Sequence, residues 1–309
     1  GLTIELDASR QKVLVLNRSQ FDRELAKMAS RSGVDIKVEN RVTKKMEKDG
    51  KVQVESKSDV YTAKWVINAT GCSSLPKRKM TLQAAKFEVF GNWFDSDRVE
   101  IYFDQMKSPG YFIWVIPISS DTAKVGIAGN GFNQFKVLDK FIASKKGAIV
   151  KKTAAQIVVG GPIENFISGR IVSVGDAAGQ AKPTTGGGIY SGGVGGMLAG
   201  KYLGESLSSG DPSKVKEYER AWRNLFSKEF GLLFQVRRIL ERLDNDNIDK
   251  MFKVASTSDI LTKISLESDF DYHSLALLKV LGLKNIFQIA NIATGDKLES
   301  LRSLLRLSK

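Results

Sequence analysis

The 309-residue chain is poor in the side chains from which several common kinds of site are built: it has one cysteine, Cys72, and one histidine, His273. A single cysteine excludes an internal disulfide framework and a cysteine-rich metal site, and it suits a reducing, cytoplasmic setting. The lone histidine falls in the polar connection DFDYHS with no matching ligand beside it. It is read as a surface residue, which argues against a histidine-based triad or metal centre. No metal is expected. No window holds 18 consecutive apolar residues, so no membrane-spanning helix is expected, and no signal peptide is visible. Repeats and low-complexity segments are also lacking.

Acid is the scarcer charge, with 34 Asp and Glu against 47 Lys and Arg, a formal net charge of +13. That balance favours an anionic partner such as a membrane surface, an acidic protein or a phosphorylated substrate. The lysines are spread over separate elements and no nucleic-acid motif accompanies them, so nucleic acid is not expected as a partner. At 42% hydrophobic and 26% charged residues the composition is that of a globular protein long enough to bury a large core.

What is present is concentrated in residues 169–204, GRIVSVGDAAGQAKPTTGGGIYSGGVGGMLAGKYLG. The apolar run Ile171-Val172-Ser173-Val174 reads as a buried strand of a parallel sheet, and Gly175-Asp176 ends it. Pro183 and the triplet Gly186-Gly187-Gly188 exclude regular structure from the following loop and let backbone approach a ligand. A helix opens at Ile189, so the triplet sits where free N–H groups and the helix dipole favour an electron-rich group. Glycines at 188, 192, 196, 200 and 204 form an i, i+4 ladder along that helix. Each costs about 0.8–1 kcal/mol against alanine, and very close packing on a sheet is the expected compensation.

Elsewhere the pattern predicts strands at 3–6 and 13–17, a helix capped by Ser19, and strands at 34–38, 42–46, 51–56 and 64–68, with Asp49-Gly50 as a hairpin turn. Strand candidates at 87–90, 98–103, 111–116 and 123–128 follow at short spacing and predict an antiparallel sheet. A helix near 135–142 and a strand at 153–159 precede the glycine loop. Beyond Asp211-Pro212 the chain reads as almost wholly helical. The expected fold class is α/β with an α+β insertion. Residues 1–76 and 161–208 would form a nucleotide-binding domain, 77–160 an antiparallel-sheet lobe, and 209–309 a helical region.

Taken together, the motifs are similar to those of a known family. The segment GDAAGQAKPTTGGGI resembles the distal flavin motif of the geranylgeranyl reductases, within the FAD enzymes related to p-hydroxybenzoate hydroxylase. NRSQFDRELAKMASRSGVDI, VINATG, PGYFIWVIP and LDNDNIDKMFKV resemble four further segments of that family, in the same order. PGYFIWVIP is similar to its P-x-x-Y-x-W-x-F-P pattern: Pro109, Trp114 and Pro117 match, while Phe112 replaces the tyrosine and Ile116 the phenylalanine. The GxGxxG segment that holds the FAD pyrophosphate in that family is not in this sequence, nor is its cysteine-glycine segment, for which Cys72 should not be mistaken. The chain is therefore expected to be a C-terminal portion, or a product split from its N-terminal part.

The resemblance implies an FAD-binding Rossmann-like domain with a substrate lobe, and a reductase that saturates isoprenoid double bonds of geranylgeranyl lipids. It implies a cofactor site at Arg18, Val42, Ala69, Thr70, Gly71, Gly175, Asp176, Pro183, Gly186, Gly187, Gly188 and Ile189. Asp176 would accept hydrogen bonds from the ribityl hydroxyls, or be a plain turn aspartate. The glycine triplet would pass the flavin edge and Pro183 its face, and residues 69–71 with Val42 would meet the adenine end or only pack a strand end. Arg18 would pair with the pyrophosphate or with a neighbouring loop. Phe112, Trp114 and Ile116, pointing to one side of the 111–116 strand, with Pro117 directly after them, would line a substrate channel or belong to an ordinary core strand, with Tyr111, Ile113 and Val115 on the other side.

No residue stands out as a catalytic acid. The expected setting is cytoplasmic, peripheral at the inner membrane face, with the basic surface on anionic lipid. The electron donor, ferredoxin or a reduced nicotinamide or deazaflavin, is left open. Two other readings stand beside this one: a flavin monooxygenase or halogenase, and a noncatalytic lipid-binding fragment.

Overall fold

A computed structural model describes residues 2–7, 15–75 and 80–256. His273 and the apolar helical segments expected after residue 275 lie outside the described residues. Helix α1 (Arg18–Arg31) is capped not by Ser19 but by Asn17, whose side chain accepts from the Gln20 N–H at 3.3 Å. None of its residues is buried. Residues 3–6 and 34–38, expected as strands, join no ladder among the described residues. They carry strand-like alternation, but no described strand takes up their backbone groups, and Val34, Ile36 and Val38 stay exposed.

Strands β1 (Val42–Lys48), β2 (Lys51–Ser56) and β3 (Val60–Ala63) form an antiparallel meander. Asp49 and Gly50 turn the first hairpin with positive φ at both positions, the geometry that a two-residue hairpin requires. Strand β4 (Val66–Asn68) leads into a short turn of 3-10 helix at Gly71–Ser74.

The antiparallel lobe then follows as β5 (Thr81–Phe90), β6 (Glu100–Tyr102), β7 (Ile113–Pro117), β8 (Thr122–Gly129), helix α2 (Gln134–Ser144) and β9 (Ala148–Val158). Its strand order is β6-β7-β8-β5-β9. One face carries Phe87, Val89, Ile113, Val115, Val125 and Ile127 and is sealed by Leu138, Phe141 and Ile142 of α2. The opposite face carries Leu82, Ala84, Ala128 and Ile157 with Phe112 and Trp114. This second face is the one turned to the glycine loop.

The chain returns through β10 (Ile167–Ser168) and β11 (Ile171–Ser173), and β11 pairs in parallel with β4, as Ile171 with Val66 and Ser173 with Asn68. The glycine loop and helix α3 (Ile189–Ser209) come next, then α4 (Lys216–Leu240) and α5 (Asn245–Ala255). Asp211 caps the turn before α4 by accepting from the Ser213 N–H at 2.9 Å, and Asp244 caps α5 through the Asn247 N–H at 2.7 Å. Tyr218, Trp222, Phe226 and Phe230 recur at helical spacing along α4 and pack with Phe166, Val172, Ala199 and Leu203. The aromatic ridge of α4 thus presses α3 onto the β4–β11 pair. The fold is α/β, with an antiparallel lobe inserted between the two parallel strands and helices at the C-terminal side.

Candidate functional site

The site is built around the loop from Gly175 to Gly188. Gly175–Ala178 is a turn of 3-10 helix closed by Gly179 in the left-handed conformation. A Cβ on Gly179 would lie 2.0 Å from the Gly161 carbonyl oxygen, so only glycine lets the loop pass residue 161. Behind the turn, Gln180 is wholly buried and acts as a brace. Its side-chain oxygen accepts from the Gly175 N–H at 2.7 Å, and its amide donates to the Tyr218 hydroxyl at 2.9 Å. Tyr218 donates onward to the Ser173 carbonyl at 2.8 Å, while the Ser191 hydroxyl donates to the Gln180 carbonyl at 2.6 Å. Each of these three side chains, Gln180, Tyr218 and Ser191, is paired, which rigidifies the loop's base. Neither Gln180 nor Tyr218 was expected from the sequence; a glutamine inside a glycine-rich loop is the one local signal.

Asp176 follows the strand and is half-buried, and burial raises its carboxyl pKa above the ordinary 3.8, with the positive charge of Arg18 pulling the other way. Arg18 itself bonds Asp22 one turn along α1 at 3.3 Å and is exposed. The structure thus brings Arg18 into the electrostatic range of Asp176. A Cβ on Gly188 would stand 3.1 Å from a carboxylate oxygen of Asp176, so carboxylate and helix start are adjacent. Pro183 is buried in the loop, Gly187 and Ile189 are exposed, and Gly186 has a φ of +69°.

Ala69 and Thr70 are exposed at the end of β4, where the Thr70 hydroxyl donates to Asn68 Oδ1 at 2.7 Å, and Gly71 begins the 3-10 turn. Val42 is 43% exposed at the start of the meander, in the β1–β2–β3 sheet rather than in the β10–β11–β4 sheet that leads into the loop.

The glycine ladder differs from expectation. Gly192 packs on Gly175, and Gly195 on Gln180, but a Cβ on Gly196, Gly200 or Gly204 would meet nothing within 4 Å among the described residues. Close packing therefore explains the N-terminal part of the ladder and not its remainder.

Across from the loop stands the free face of the antiparallel sheet. Phe112, Trp114 and Ile116 are half-buried, while Ile113, Val115 and Pro117 are buried in or beside the α2-covered core. The expected alternation fails at Tyr111. Gly110, with φ of +68°, bends the chain before β7 begins, so Tyr111 is off the strand and joins the cluster of Phe112 and Trp114. Its ring stacks on Phe112 with centroids 4.2 Å apart. Trp114 lies flat on the facing strand, opposite Gly126, where a Cβ would be 2.1 Å from the indole. Two buried hydroxyls in this region, Tyr111 Oη and Thr184 Oγ1, have no hydrogen-bond partner among the described residues.

This surface can hold a large flat polar ring with a hydroxylated chain: backbone N–H groups at a helix start, a desolvated carboxylate, two unsatisfied hydroxyls, and an apolar wall opposite. No cluster of potential metal ligands occurs among the described residues, and no helix there is long and apolar enough to cross a membrane.

No family model matches the chain. The digeranylgeranylglycerophospholipid reductase of Methanosarcina acetivorans is 30% identical over 281 residues, which cover 82% of this chain and 68% of the relative. Digeranylgeranylglycerophospholipid reductase 1 of Methanococcoides burtonii is 30% identical over 271 residues, covering 80% of this chain; the chain spans only 66% of that relative's length. The crystal structure of a geranylgeranyl bacteriochlorophyll reductase-like protein from Thermoplasma acidophilum matches with a TM-score of 0.76 at 25% identity, over 94% of this chain and 75% of that one. A p-nitrophenol 4-monooxygenase from Pseudomonas putida shares the fold alone, with a TM-score of 0.61 at 16% identity over 82% of this chain and 71% of that one. On sequence and fold together, the chain belongs to the digeranylgeranylglycerophospholipid reductase family.

Proposed function

We propose that this chain belongs to an FAD-dependent reductase that saturates isoprenoid carbon–carbon double bonds in geranylgeranyl membrane lipids of the archaeal type. The observation that carries this reading is the placement of a braced glycine loop against an apolar sheet face, in a chain whose reductase relatives align along four fifths of it. A flavin bound there in its reduced form would supply hydride to one alkene carbon, with a proton, ultimately from solvent, going to the other.

The residues divide the work. Asp176 accepts hydrogen bonds from the ribityl hydroxyls, and Gly188 and Ile189 at the helix start present backbone N–H groups to the electron-rich edge of the ring. The Gly186 N–H instead donates to the Lys182 carbonyl at 2.8 Å and the Gly187 N–H to the Thr185 hydroxyl at 3.3 Å, so these two glycines shape the loop that passes the ring edge. Pro183 fixes the loop, and Ala69, Thr70 and Gly71 at the end of β4 take the adenine side of FAD. An isolated alkene has no charge to grip, so its position depends on shape. Phe112, Trp114 and Ile116 supply an apolar wall that excludes water and lets an isoprenoid chain slide so that successive bonds reach the loop. The monooxygenase likeness is one of fold only, and no feature of this apolar wall favours that chemistry over alkene reduction.

The lysine-rich outer surface, including Lys44, Lys45 and Lys48 on the fully exposed β1, would rest the protein peripherally on anionic lipid, each basic contact contributing about 1 kcal/mol. Anaerobic mixing of the photoreduced holoprotein with a geranylgeranyl glycerophospholipid tests the reading. Flavin reoxidation driven by that lipid supports it; a flavin that oxygen reoxidises and the lipid does not counts against it.

A further inference from the structure

We propose that Tyr111 is a flavin-positioning residue whose hydroxyl donates a hydrogen bond to the ring of the flavin seated on the glycine loop. The inference rests on the flavin reading above and adds to it a side chain from the opposite lobe.

Tyr111 is only 3% exposed and its Oη has no hydrogen-bond partner among the described residues. A buried hydroxyl left unpaired is costly to the fold, and such groups are uncommon in native structures unless something outside the chain satisfies them. The hydroxyl is placed against the loop: a Cβ on Gly186 would stand 3.6 Å from it. The ring is held on two sides. Phe112 stacks on it at 4.2 Å and 13°, and the Arg237 guanidinium lies 5.6 Å from its centroid. Arg237 is buried in turn and paired with Glu241 at 2.7 Å, so the tyrosine cannot readily swing out to solvent.

Burial raises the phenol pKa, Arg237 opposing weakly, and the hydroxyl therefore stays protonated and available as a donor. The matching partner is an acceptor on a flat heteroaromatic ring, which a flavin offers along its edge and a hydrocarbon chain does not. Phe112, standing where the P-x-x-Y-x-W-x-F-P pattern has tyrosine, carries no hydroxyl. Its stacked neighbour supplies one from an adjacent position.

The test is Tyr111→Phe in the full protein, which keeps both the stack on Phe112 and the contact with Arg237. Apoprotein is titrated with FAD and separately with riboflavin, which has the ring and ribityl chain without the pyrophosphate, and the melting temperature of the apoprotein is recorded. The expected result is about 3- to 10-fold weaker binding of both flavins, the loss of one net hydrogen bond. The apo melting temperature should be unchanged or raised, because the variant removes an unpaired buried hydroxyl. Equal affinity in variant and parent overturns the Tyr111 assignment and leaves the flavin reading standing. A lower apo melting temperature with unchanged affinity does the same, since it marks a purely structural residue. Failure of the parent protein to bind either flavin overturns the flavin reading and this inference with it.

Discussion

Gly126→Ala should damage this protein more than a change of one methyl group in a β-strand ordinarily does. Gly126 sits directly across from Trp114 in the β7–β8 ladder, and a Cβ there would be 2.1 Å from Cζ2, 2.2 Å from Cε2 and 2.7 Å from Nε1 of the indole. Carbon atoms pack at about 3.5–4.0 Å, so the ring must retreat by roughly 1.4 Å or more. It has little room, since Tyr111 and Phe112 meet it edge-on with centroids at 6.4 and 6.1 Å. Overpacking of this kind costs about 1–3 kcal/mol. In a domain of this size each kcal/mol lowers the melting temperature by roughly 2–4 °C.

Trp114 would also be pushed off the sheet toward the loop, narrowing the space for an isoprenoid chain. Thermal denaturation and tryptophan emission measure the two effects. A double-mutant cycle isolates them: in a Trp114→Ala background the same Gly126→Ala change should cost little. A Gly126→Ala protein that melts within about 0.5 kcal/mol of the parent and has unshifted emission would refute the packing argument.

Asp176→Asn separates folding from cofactor binding. Because burial raises the folded-state pKa of Asp176, its favourable contribution to stability is complete below the ordinary carboxylate value of 3.8 and is lost as pH rises through the folded-state pKa. The asparagine variant should therefore be more stable than the parent apoprotein at neutral pH, with the advantage fading in acid, yet bind riboflavin about 10-fold or more weakly, as expected for losing hydrogen bonds to a charged acceptor. Melting curves and flavin titrations across pH check both signs, and a destabilised neutral-pH apoprotein would count against the assignment. Arg223→Met should cost about 2–3 kcal/mol, since the guanidinium bonds Glu219 at 2.7 Å and the carbonyls of Ile163 and Glu164 at 2.9 and 2.6 Å while lying over the Phe166 ring. Urea denaturation reads this loss directly, and a change below about 0.5 kcal/mol would show that solvent replaces those bonds.

Local patterns carried much of this fold in plain view. Alternation in IWVIP separates Ile113 and Val115 from Trp114 and Ile116, and Asp211 announces the helical turn after it because a short polar side chain can reach a free N–H. What depends on distant partners was not legible. Residues 34–38 alternate like a strand, but alternation does not provide a ladder. Tyr111 alternates with Phe112 in sequence yet shares its side of the sheet, because a positive φ at Gly110 turns the chain just before the strand starts. At the site, the loop could be read from its glycines. The Gln180–Tyr218–Ser173 brace could not, since it joins residues 38 and 45 positions apart.

The most direct measurement of the central claim is mass spectrometry of a digeranylgeranyl glycerophospholipid incubated anaerobically with the full protein, FAD and a chemical reductant. The account predicts a stepwise gain of one hydrogen pair per double bond, abolished when protein or FAD is left out. A protein that binds FAD and accepts electrons but returns the lipid with every double bond intact would contradict it.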